Sequence, residues 1–189
     1  MDKSLLGILG LVLFIVSVSA IFSTQVNVIN PSGKGLKYGS NVCVHKNGEL
    51  VQCGPNTLTN AGMNFIEDQL ISSTVSNISF IALCNTSNVS TDGGGDGCKQ
   101  VTTASTVLNG EYQTCGLERA QGTYASEGTG NFSYAYTFTS GCNNLVTNGT
   151  GLFNDTNGIS GILFAANNFT SVTLQTNDQL TVTWYVWVT

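Results

Sequence analysis

The first residues with chemistry to offer are the cysteines. Cys43, Cys53, Cys84, Cys98, Cys115 and Cys142 form an even set, and in an exported chain such a set oxidises to disulfides. Sequential pairing, Cys43 with Cys53, Cys84 with Cys98 and Cys115 with Cys142, closes three local loops. Each loop of this size adds roughly 3 kcal/mol by restricting the unfolded chain. A metal site has little to draw on, since no two cysteines stand two residues apart and His45 is the only histidine. Asp92 and Asp96 could share a calcium ion with backbone carbonyls, but their spacing matches no EF-hand loop and no bidentate glutamate follows. No metal and no cofactor is expected.

Hydrolytic chemistry is equally short of parts. A serine or cysteine nucleophile would have to recruit His45, which sits two residues from a probable bridge, and no glycine-flanked serine elbow is present. Glu111, Glu118, Glu127 and Asp155 supply carboxylates, yet nothing in their spacing selects an acid and base pair. The glycine-rich run Gly93 to Gly97 lacks the Lys-Ser/Thr and helix of a phosphate loop. The chain reads as having no enzymatic function.

A different reactive set is the Asn-X-Ser/Thr sequons at Asn77, Asn85, Asn88, Asn131, Asn148, Asn154 and Asn168, each an acceptor for N-linked glycan if it is exposed. Charged residues make up only 9% of the chain, against roughly 25% in typical soluble proteins. A surface of hydroxyls and amides keeps its hydration when carboxylates protonate, which suits an acidic exterior or a glycan coat. With a formal charge of −5 and six basic residues, the chain offers no cationic track for nucleic acid.

These features require export, and the stretch from Leu5 to Phe22 provides for it: a near-unbroken apolar run behind Lys3. Three fates compete. A cleaved signal peptide over 1–20 fits best, with Val18-Ser19-Ala20 at the cut. A retained anchor is the second, since the run approaches the roughly 20 residues that span a bilayer. The third is a pilin-type leader cut near Lys3-Ser4, leaving a hydrophobic core helix. A membrane is met only through this segment.

Beyond the leader the periodicity is that of strands. Phe22, Thr24, Val26 and Val28 alternate with polar residues before Asn30-Pro31-Ser-Gly33, so residues 21–39 read as a strand and linker. Asn41 to Cys53 reads as a hairpin, with Val42-Cys43-Val44 and Leu50-Val51 flanking Asn47-Gly48. A two-residue turn there sets Cys43 and Cys53 on opposite faces, so their pairing calls for a three-residue loop with a bulge. Asn60 to Ile71 reads as a helix capped by Thr59 or Asn60, with Ala61, Phe65, Ile66 and Leu70 inward. Ile78 to Cys84 reads as a buried strand. Glu111 to Leu117 and Asn131 to Thr139 read as neighbouring strands, the second with Phe132, Tyr134, Tyr136 and Phe138 on its core face. Gly149 to Gly158 reads as a turn region, Ile162 to Ala166 and Ser171 to Leu174 as strands, and Gln179 to Thr189 as a long central strand. Residues 40–189 are therefore expected to form an all-β sandwich, Ig-like or jelly-roll, with one short helix.

The leader ending at Ala20, the strand Phe22 to Ile29, its Asn30-Pro31-Ser-Gly33 linker and the sequon-rich β-body together resemble archaeal surface threads and bundling pili assembled by donor-strand complementation. That resemblance, one of organisation, implies a glycosylated filament subunit joined head to tail to copies of itself, with Phe22, Thr24, Val26 and Val28 on the donated strand. Leu58-Thr-Asn-Ala-Gly and Leu180-Thr-Val-Thr-Trp are similar to segments of phage tail-fibre-like proteins, which implies a virion adhesin. A pilin-like subunit and a membrane-anchored or virion receptor-binding glycoprotein are the alternatives.

Overall fold

The computed structural model describes residues 26–27, 37–71, 77–85, 98, 102–156 and 161–188. The expected leader, Phe22, Thr24, Val28, the residues 28–36, Asn88, Asp92 and Asp96 lie outside the described residues. In chain order the elements are β1 (Val26–Asn27), β2 (Lys37–Lys46), β3 (Glu49–Pro55), β4 (Thr57–Leu58), α1 (Asn60–Ile71), β5 (Phe80–Cys84) and β6 (Ala120–Gln121). They continue with β7 (Thr123–Gly128), β8 (Asn131–Thr139), β9 (Leu145–Phe153), β10 (Leu163–Leu174) and β11 (Gln179–Val188). Two antiparallel sheets result. The first runs β1-β2-β11-β8-β7 with β3 also on β2, and the second runs β4-β10-β9-β5-β6.

Strict alternation makes β11 the centre of the first sheet. Leu180, Val182, Trp184 and Val186 are all buried, and β2 and β8 pair along its two edges. Their inner faces meet Ile81, Leu83, Leu152, Phe164 and Leu174 of the second sheet in one shared core. At about 25 cal/mol per Å² of apolar area, this contact is the main favourable contribution to folding. On the outer face of β11, Trp187 lies over its cross-strand partner Gly39, where a Cβ would meet the indole at 2.2 Å.

The second sheet is buried on both faces. Alternate residues of β5, β9 and β10 (Ala82, Cys84, Phe153, Leu163, Ala166) turn outward into a second cluster with Cys98 and Leu108. The covering segment is tied down by Cys84–Cys98 and Cys115–Cys142, and β2 is tied to β3 by Cys43–Cys53. The pairing is the sequential one.

Both corners between the sheets are turned by strands that change sheet. From β3 the chain passes through Asn56 into β4, and from β6 it passes through Gly122 into β7. Gly122 donates its N–H to Ser79 O at 2.7 Å, and a Cβ there would stand 3.1 Å from Ile81 and 3.2 Å from Tyr134. A side chain at that corner would need its neighbours to give by a few tenths of an ångström.

Helix α1 has the expected bounds, and Thr59 is its cap: Gly62 N–H donates to Thr59 Oγ1 at 2.9 Å. Phe65 and Ile66 face the core as expected, and Leu70 does not. Gly62 and Phe65 are buried while Leu70 is 73% exposed, because a Cβ on Gly62 would lie 2.1 Å from Phe164 O. That close approach fixes the contact near the helix start and lets its end stand clear of β10.

The β2–β3 hairpin has the expected bulge and a shorter loop. Asn47 and Gly48 both have positive φ, 49° and 85°, as a two-residue type I′ turn requires. Val51 is the extra residue, lying between the pairs Val44↔Gln52 and His45↔Leu50, so Cys43 comes opposite Cys53. The body begins earlier than expected, since β2 starts at Lys37 and Tyr38 is buried.

Three other expectations are corrected. Glu111 to Leu117 is not a strand beside β8: it makes one bridge, Cys84↔Glu111, and Cys115 and Gly116 both have positive φ. The neighbours of β8 are β11 and β7. Within Gly149 to Gly158, residues 149–153 are not a turn region, since they complete β9 in the middle of the second sheet. The glycines are there because the outer cluster presses on that strand: a Cβ on Gly149 would stand 2.7 Å from Cys84 Sγ and 2.9 Å from Cys98 Sγ. Finally, the two strands expected between Ile162 and Leu174 are one, β10, bent by a bulge between Asn168 and Val172.

Gly149→Ala is expected to destabilise the oxidised protein by about 1–3 kcal/mol through overpacking. Gly54→Ala, where the nearest atom is 4.0 Å away, is expected to stay within about 0.5 kcal/mol of the parent. Urea denaturation midpoints measure both.

Candidate strand-acceptor seam

A sandwich satisfies the backbone groups of its inner strands and leaves those at its edges. Here two edges face each other. Among the described residues β3 pairs only with β2, and β10 pairs with β4 only at Ala165 and Ala166. Beyond Ala166 no strand among the described residues pairs with that side of β10, so the seam between β3 and β10 lacks a ladder.

Side chains cross it instead. Asn167 Nδ2 donates to Pro55 O at 2.6 Å near the sheet-changing corner. Gln52 Oε1 accepts from Thr170 N–H at 2.9 Å and from Thr170 Oγ1 at 3.2 Å. Lys46 Nζ donates to Thr173 O at 2.8 Å at the far end. A groove of about 540 Å³ lies here, lined by Glu49, Leu50, Val51, Ser171, Val172 and Thr173 among others. Its size falls within the roughly 300–1,000 Å³ of ligand pockets. Leu50 is 58% exposed at its rim, and Val172 is buried at its floor. The β10 bulge sets three residues, Phe169 to Ser171, against Asn148 alone, and it brings the Thr170 N–H to Gln52.

One end of the seam is locked by a turn-to-turn clamp. Asp178 Oδ2 lies 2.9 Å from Lys46 Nζ and accepts from Gln175 N–H at 2.9 Å. Asp178 Oδ1 accepts from Asn47 Nδ2 at 2.9 Å, and Asn47 Oδ1 accepts from Gln179 N–H at 2.8 Å. The Gln175 backbone N–H, followed by Asn47 and Lys46, holds the Asp178 carboxyl down at about 2.

Of the segment expected to act as a donor strand, two residues are described. Val26 pairs with Tyr38 and Asn27 with Lys37 of the same chain, on the side of β2 that β3 also uses. This is pairing at home rather than in a neighbour, and it extends over two residues.

Of the residues weighed for hydrolysis, Glu111 and Asp155 both meet Arg119, while Glu118 and Glu127 bond to other partners. Glu111 and Arg119 form a buried bidentate pair, with Arg119 Nε–Oε1 2.8 Å and Nη2–Oε2 2.7 Å. Arg119 also lies 3.5 Å over the Phe153 ring and donates to Asp155 O. Desolvation raises the Glu111 carboxyl, and Arg119 opposes that shift. Glu127 accepts from Ser133 Oγ, and Glu118 accepts from Gly116 N–H. His45 is on β2 between Thr181 and Leu50. Among the described residues no group of three or more His, Cys, Asp or Glu could hold a metal ion.

The sequons divide by exposure. Asn77 and Asn131 are exposed, Asn148, Asn154 and Asn168 are half-buried, and Asn85 is buried. Asn168 Nδ2 donates to Cys98 O, and Asn154 Oδ1 accepts from Ile162 N–H. These amides bond within the fold. Comparison with known proteins finds no matching family model, curated protein or solved structure.

Arg119→Ala leaves Glu111 buried without its cation, and a loss of about 3–5 kcal/mol is expected in chemical denaturation. Asp178 has a depressed pKa, so its contribution is present above its ordinary value of 3.8 and is lost as pH falls through about 2. Thermal unfolding across that window is expected to show a smaller drop for Asp178→Asn than for the parent.

Proposed function

We propose that the chain is a structural subunit of an extracellular filament, each copy lending its segment Phe22 to Ile29 to the β3/β10 seam of the next. The observation that carries this reading is the seam: two ladder edges side by side, with a groove in which Leu50, Val51 and Val172 stand among polar residues, and no strand between them among the described residues. An entering strand would supply ladder hydrogen bonds to both edges and place alternate side chains, Val26 and Val28 among them, against Val51 and Val172. Phe22 to Ile29 has the required alternation, and it is joined to the body by a turn-rich linker. Such a contact uses different surfaces on the two partners, so it propagates instead of closing into a dimer. Three disulfides are compatible with the oxidising exterior such a filament occupies. Asn77 and Asn131 are the acceptors best placed for glycan.

The Val26–Asn27 pairing with β2 must open before the strand is lent. Two residues of ladder contribute about 1–3 kcal/mol, a barrier that a longer ladder in the neighbour outweighs. The arrangement is then a strand exchange: the home contact holds the segment until a seam is offered.

A second reading has its own observation. On the β7/β8 margin, Tyr124 is 58% exposed and stacks with Phe132 and Tyr134, centroids 6.3 and 5.8 Å away. An aromatic platform of this kind suits a receptor-binding glycoprotein that acts as a monomer.

Deleting residues 22–29 is expected to leave a folded monomer by circular dichroism and to abolish filaments in electron micrographs of the secreted product. Filaments formed by the truncated chain, or a parent that stays monomeric at all concentrations, would remove this reading in favour of the second.

A further inference from the structure

The bonds that cross the seam have a chemical logic beyond holding two sheets together. A missing strand would present carbonyls to edge N–H groups and N–H groups to edge carbonyls. Gln52 presents an amide carbonyl to Thr170 N–H, and Lys46 presents an N–H donor to Thr173 O. Each side chain supplies the group that a neighbouring backbone would supply at that position. Gln52 comes from β3 and Lys46 from the end of β2, so both caps reach across from one sheet to the edge of the other.

We propose that Gln52 and Lys46 are exchangeable edge caps: they occupy backbone positions of β10 that an incoming strand takes, and their release sets how fast that strand enters. The inference rests on the seam being the strand acceptor. Both caps are suited to leaving. Lys46 keeps Asp178 as a partner at 2.9 Å when it gives up Thr173 O, and Gln52 is a partly exposed amide on an edge strand that water can solvate. Asn167 differs, since its residue is 8% exposed and its amide anchors Pro55 at the corner. It marks the closed end where entry stops. The caps also explain how an unpaired edge is kept from indiscriminate pairing, a hazard that exposed strands otherwise carry.

The test is the association rate of a fluorescent synthetic peptide of residues 21–30 with the purified full chain, read by anisotropy. Gln52→Ala with Lys46→Ala is expected to bind about tenfold faster, the change that about 1.4 kcal/mol of lost cap bonding produces. Gln52→Glu, which keeps an acceptor for Thr170 N–H, is expected to bind at the parent rate. Should the double variant fold poorly, Gln52→Ala alone gives the same comparison, with circular dichroism as the check on folding. If the peptide binds parent and capless variants equally fast, and Val51→Lys in the groove abolishes binding, the cap proposal fails while the seam remains the acceptor. If the peptide binds none of them, the seam is not an acceptor, and both this inference and the filament reading fall.

Discussion

The contact between the inner faces of the two sheets is the interaction on which everything else depends. Val182, Trp184 and Val186 on β11 share one core with Leu152, Phe164 and Leu174. Burying that surface requires the sheets to face each other, and facing sheets have edges. One side is turned by the β6–β7 strand at Gly122. The other is turned at Asn56, and beyond Ala166 that side of β10 meets no described strand, its bulge following between Asn168 and Val172. The seam is therefore what remains when a sandwich of eleven described strands closes one corner fully and the other in part.

The covalent bonds are placed around this arrangement rather than within it. Cys43–Cys53 joins β2 to β3 and so stiffens one lip of the seam. Cys84–Cys98 and Cys115–Cys142 hold a covering segment over the far face of the second sheet. The buried Glu111–Arg119 pair does the same work electrostatically, and at the cost of desolvating both groups it fixes the cover in one position. A second sheet held in this way keeps the β10 edge in place, which the proposed strand acceptor needs, since disorder at the edge would have to be removed on binding.

Much of this was legible in the residues. The alternation of Gln179 to Val188 marks a central strand, Asn47-Gly48 marks a hairpin, and Thr59 followed by a helical stripe marks the start of α1. Each signal is local: a side-chain period, a backbone that tolerates positive φ, a cap three residues from its donor. The errors have a common origin too. Gly149 and Gly151 look like turn residues, yet they lie in a central strand because the Cys84–Cys98 bridge and Phe153 press against them. Glu111 to Leu117 has strand-like composition, and the Arg119 ion pair with positive φ at Cys115 and Gly116 makes it a cover. Leu70 belongs to a helical stripe whose other end takes the contact.

By itself the sequence settled the β-rich class, the place of the single described helix, the long last strand and the number of thiols available for pairing, because those follow from periodicity and residue chemistry along the chain. The tertiary structure alone decided which strands become edges, where a strand changes sheet and which side chains reach across to the exposed edge of β10. Lys46 and Thr173 are 127 positions apart, and nothing in either neighbourhood encodes the other. Their meeting is set by how two twisted sheets pack, a property of the whole surface and not of any segment within it.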